Sequence, residues 1–132
     1  MRYLAGWILI GLFMTVLPAS AGAVVDGTAP LLCATVEALD CDPGEACERG
    51  IPEAMGAPDF LRIDFAKKEI TGPARTTAIR SMEKGDEQIV LQGFELGMGW
   101  TLALDRATGK MRIAFAGRDS TFVIFGTCTT FP

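Results

Sequence analysis

From Phe60 onward the apolar side chains fall on alternate positions, the period of a strand with one buried face. Leu61, Ile63 and Phe65 alternate with Arg62 and Asp64, and Thr77 and Ile79 with Ala78 and Arg80. Ile89 and Leu91 alternate with Val90 and Gln92; Trp100, Leu102 and Leu104 with Thr101 and Ala103; Met111, Ile113 and Phe115 with Lys110, Arg112 and Ala114. Residues 122–125, Phe-Val-Ile-Phe, are apolar on both faces, which suits a central strand or one that closes a barrel. Turn signals separate the runs: Gly85-Asp86, Gly97-Met98-Gly99, residues 105–109 with Gly109 suited to the left-handed position of a bulged hairpin, and Gly117-Arg118-Asp119. Connections this short join antiparallel neighbours. The pattern predicts a meander of five or six strands.

Upstream the pattern changes twice. Arg2 precedes an almost wholly apolar run from Leu4 to Leu17, then Pro18 and the small residues Ala19-Ser20-Ala21. That order is a secretory signal peptide over residues 1–21, with cleavage after Ala21 and, as second choice, after Ala23. The run stops short of the ~20 residues a membrane span needs. Cys33 lies too far along, behind a bulky Leu32, for a lipoprotein. Residues 22–30 read as a flexible N-terminus. Leu32, Ala34 and Val36 alternate as a strand, although Leu32, Val36 and Leu39 also fit a helical stripe; the strand is preferred. Residues 40–58, with Cys41, Pro43, Gly44, Cys47, Pro52, Gly56 and Pro58, read as a disulfide loop.

Removing residues 1–21 from 132 leaves 111, a single small β domain over 22–132. A sheet of this size with one apolar face must curl or be covered. The fold class expected is therefore all-β, an antiparallel meander rolled into a small barrel or half-barrel. After the leader the chain has eleven basic and sixteen acidic side chains, a balance of −5. That argues against nucleic acid as partner. No further apolar stretch would hold the domain stably in a membrane once the leader is cleaved.

The chain contains no histidine, which removes Ser-His-Asp and Cys-His catalysis and imidazole-ligated zinc. Four cysteines in an exported chain predict two disulfides. Of the three possible pairings, Cys41–Cys47 with Cys33–Cys128 is favoured, the first closing a short loop and the second joining the ends of the domain. No C-x-x-C pair is present for metal or redox chemistry.

The remaining motifs carry little chemistry. The stretch from Asp40 to Glu45 misses the glycine and glutamate positions of a calcium loop. Gly93, Gly97 and Gly99 stand between strands, not before a helix, so they are hairpin punctuation and no nucleotide site. Neither a cofactor nor a metal is expected. Asp64, Glu95, Asp105 and Asp119 are the carboxylates that would serve a hydrolase, but turn-forming or surface roles account for them more simply, and no catalytic residue is assigned. Trp100, Phe94, Met111, Phe115 and Phe122, with Met98 and Phe125 nearby, are the candidates for an apolar ligand pocket. Filling the interior of a small barrel is the plainer use for the same side chains.

Several landmarks carry a resemblance: Leu32-Cys33-Ala34, the Cys41/Cys47 pair, residues 58–64, Leu91-Gln92-Gly93, Gly99-Trp100-Thr101-Leu102, Asp105 with Thr108-Gly109, and residues 122–129. Together they resemble a group of small, exported, uncharacterised bacterial proteins, often proteobacterial, to which no activity is assigned. The resemblance implies bacterial export and a disulfide-stapled β fold, and carries over no catalytic residue. Three functions are ranked on this basis. The first is a non-enzymatic periplasmic or secreted binding module for a small apolar ligand or a protein partner. The second is an inhibitor or accessory protein of another exported enzyme, and the third a carboxylate-based hydrolase.

Overall fold

The computed structural model of the chain describes residues 24–131. The signal peptide read at 1–21 and both cleavage positions lie outside the described residues. Nine strands follow: β1 (Leu31–Asp40), β2 (Glu48–Gly50), β3 (Phe60–Asp64), β4 (Glu69–Thr71), β5 (Thr76–Lys84), β6 (Gln88–Glu95), β7 (Met98–Asp105), β8 (Lys110–Ala116) and β9 (Thr121–Thr130). A single 3-10 turn spans Pro52–Met55, with Gly56 in the left-handed region closing it. Every pairing is antiparallel. The strands run in the order β1-β3-β4-β5-β6-β7-β8-β9, and β9 returns to β1 to close a barrel of eight. The short β2 continues the edge of β1 beyond the point where β3 leaves it.

Each alternating run forms the strand its pattern predicts. The two strands without a sequence signal are β2 and β4; three residues are too few to show a period. Residues 31–40 are a strand, not a helix, with Cys33 directly opposite Cys128 in the β1–β9 register. The disulfide Cys33–Cys128 therefore crosses the seam that closes the barrel, and Cys41–Cys47 staples the loop between β1 and β2. Two register shifts, between Thr35 and Glu37 and between Ile79 and Ser81, bend β1 and β5, as a small barrel requires of its longer strands.

The barrel has two unlike ends. At one lie the turns β3–β4, β5–β6 and β7–β8 and both ends of the described chain. Residues 24–30, expected to lead in flexibly, pack across this end: Val25 is 1% exposed, its N–H donates to Arg106 O, and its carbonyl accepts Arg106 Nε at 2.9 Å. Arg106 also donates to Gly85 O at 2.8 Å. Above Val25 the interior is filled by Leu31, Ile63, Ile89, Leu91, Leu104 and Met111, all essentially inaccessible. The other end carries the stapled loop, the 3-10 turn, residues 72–75, and the turns β6–β7 and β8–β9. There the interior is open.

Candidate functional site

The open end holds a cavity of about 450 Å³, inside the roughly 300–1,000 Å³ range of small-molecule sites. Its wall comes from the inward positions of the strands. Trp100 and Leu102 of β7, Ile113 and Phe115 of β8, and Phe122 and Ile124 of β9 form one side, and Leu61 and Ile70 face them from β3 and β4. Phe115 and Phe122 are direct cross-strand partners with rings stacked at 4.5 Å.

Trp100 is 4% exposed and stands opposite Gly93 across the β6–β7 pair. A Cβ on Gly93 would lie within 2.2 Å of the indole Cζ2, so the glycine supplies the space in which the ring lies. The indole Nε1–H is buried with no hydrogen-bond partner among the described residues. Shape alone holds the ring.

The rim mixes polar and apolar side chains. Arg75, just before β5, reaches Glu95 at the end of β6, with Nη1 3.5 Å from Oε1. Glu53, from the 3-10 turn, also lines the cavity. Leu96 stands at the tip of the β6–β7 hairpin, 73% exposed. Leu96 and Gly97 both have positive φ, 49° and 80°, the backbone of a two-residue hairpin turn that normally selects Asn or Gly at its first position. A leucine there is held in a left-handed conformation that costs about 1 kcal/mol or more.

The five residues singled out for a pocket separate in space. Trp100, Phe115 and Phe122 meet in the cavity wall, as does Met98. Met111 lies deeper, in the filled half, its Sδ 3.7 Å from Cys128 Sγ. Phe94 is 53% exposed and faces outward, and Phe125 lies beside Val36 on the outside of the barrel. The parity of Phe94 was readable, since Ile89, Leu91 and Gly93 share the inward face and Phe94 falls on the opposite parity with Val90 and Gln92. Sequence reasoning missed Leu61, Ile70, Arg75, Glu53 and Leu96 as cavity residues. The two aliphatic wall positions, Leu61 and Ile70, look like any core residue, and the three rim positions depend on which loops meet at the open end.

The four candidate carboxylates are dispersed. Asp64 and Asp105 accept backbone N–H groups in turns at the filled end, from Lys67 at 3.0 Å and Thr108 at 2.7 Å. The Thr108 N–H, aided by its hydroxyl, holds the Asp105 carboxyl below the usual carboxylate range. Asp119 pairs with its neighbour Arg118. Only Glu95 lines the cavity. Among the described residues no group of three potential ligands is placed to hold a metal ion, and no helix is long and apolar enough to cross a membrane.

Comparison with protein-family models, with curated proteins and with solved structures returned no match.

Proposed function

We propose that the protein is an exported, non-enzymatic binding module, periplasmic or secreted in a bacterium, whose half-open barrel holds a small apolar ligand. The observation that carries this reading is the division of the interior. One half is packed to exclusion, while the other leaves about 450 Å³ lined by Trp100, Leu102, Ile113, Phe115 and Phe122. Side chains of ordinary size fill the first half; the second is open at the mouth and apolar in its depth, which is the form of a ligand site. The two disulfides support an oxidising compartment. A second reading, an inhibitor or accessory protein of another exported enzyme, is favoured by the acidic loop stapled by Cys41–Cys47, whose side chains are largely exposed.

Titration of the oxidised protein with octanol, followed by calorimetry and by Trp100 emission, tests the first reading. Saturable heat accompanied by a shift in emission is expected. Ile113→Phe puts a ring into the cavity and should weaken binding about tenfold or more, since each methylene-sized loss of apolar burial costs about 0.8 kcal/mol. Its circular dichroism should stay that of the parent. Octanol that binds without saturation, or binds Ile113→Phe equally well, would remove the cavity as the site.

A further inference from the structure

We infer that the ligand of this cavity is a cationic amphiphile, an apolar body bearing an ammonium-type group at the mouth, and not a fatty-acid-like anion. The inference rests on the binding function proposed above and adds the charge of the ligand.

Charge is distributed unevenly along the barrel axis. The segments bordering the mouth, residues 40–59, 72–75, 95–98 and 117–120, carry eight carboxylates against three arginines. That excess of five equals the net charge of the whole chain after residue 21. All three arginines are engaged already: Arg49 with Glu37, Arg75 with Glu95, and Arg118 with Asp119. Glu53, which lines the cavity, has no ion-pair partner among the described residues. A mouth with an excess of one sign above a low-dielectric interior concentrates counter-ions of the opposite sign.

The cavity wall agrees with the rim. Trp100 and the stacked pair Phe115–Phe122 present aromatic surface to the space, and the face of an aromatic ring attracts a cation. Among the described residues, Arg75 is the only basic one lining the cavity. An entering carboxylate would compete with Glu95 for Arg75 and would meet two lining carboxylates, Glu95 and Glu53, of its own sign. An ammonium group meets no such conflict, since Glu53 has no ion-pair partner among the described residues and Glu95 has Arg75 alone.

Three octyl compounds, octyltrimethylammonium, octanol and octanoate, share one chain and differ only in the head. Calorimetric titration of the oxidised full chain should give the tightest binding for the ammonium compound, by about tenfold over octanol, and the weakest for octanoate. Raising the ionic strength from about 0.01 M to about 0.5 M should reduce that preference. The double variant Glu53→Gln, Glu95→Gln should lose most of it, read as the ratio of ammonium to octanol affinity in the same protein; an unchanged ratio overturns the inference. Octanol or octanoate binding as tightly as the ammonium compound overturns this inference and leaves the apolar site intact. Failure of all three to bind overturns both.

Discussion

Gly93 shows how one missing methyl group sets the interior. The Trp100 ring occupies the space over its Cα, and an added Cβ would lie 2.2 Å from Cζ2 and 2.7 Å from Ala78 O. The carbonyl belongs to a paired strand and cannot retreat, so the ring or the strand must move. Gly93→Ala is therefore expected to destabilise the protein by about 1–3 kcal/mol, the usual cost of overpacking, and to shift the Trp100 emission. Urea denaturation with emission spectra measures both. An unchanged midpoint would mean that the ring has room elsewhere. Gly109 is constrained differently. Its φ is +71° and a Cβ would meet Cys128 O at 2.3 Å, so both conformation and space require glycine at this left-handed turn position.

Among the connecting segments, the β7–β8 hairpin turn and the turn ahead of β1 are held by side-chain oxygens. Asp105 Oδ1 accepts the Thr108 N–H, and Asp26 Oδ1 accepts the Thr28 N–H at 2.7 Å. Those bonds, the backbone donation foremost in each, hold both carboxyls below their ordinary value. A depressed folded value means that the unfolded chain takes up the proton first as pH falls. The turns are thus fully stabilised above the unfolded carboxylate value of about 3.9, and the contribution is lost as pH drops through the lower folded value. The urea midpoint should therefore decline below about pH 4, and the decline should be shallower in the double variant Asp26→Asn, Asp105→Asn, which cannot titrate. Parallel acid profiles for parent and variant would assign the decline to other groups.

At the scale of the whole molecule, closure depends on one seam. β9 must return to β1 across a separation of 95 residues between Cys33 and Cys128, and the covalent bond removes most of the loop entropy that this return would cost. In the chain-entropy account the bridge contributes about 4.7 kcal/mol, against about 2.2 kcal/mol for the six-residue separation of Cys41–Cys47. The pair Cys33→Ala, Cys128→Ala should accordingly lower stability roughly twice as much as Cys41→Ala, Cys47→Ala. Thermal unfolding of the two double variants compares them. Equal losses would show that the seam is held by its hydrogen bonds and packing instead.

The sequence by itself marked seven of the nine strands and their antiparallel connections, and favoured the disulfide pairing that the structure has, because alternation, turn glycines and cysteine positions are local marks that survive in any fold consistent with them. It did not distinguish Trp100, Phe115 and Phe122, which line a space, from Leu91, Leu104 and Met111, which fill one. All six are inward residues of alternating runs and look alike along the chain. Their height along the barrel axis decides which is which, and that height follows from strand stagger and from the loops that cap each end. Val25 closes the filled end from a segment without strand character, while the 3-10 turn and residues 72–75 border the other without covering it. Such placements join residues distant in sequence, so only the tertiary structure could decide them.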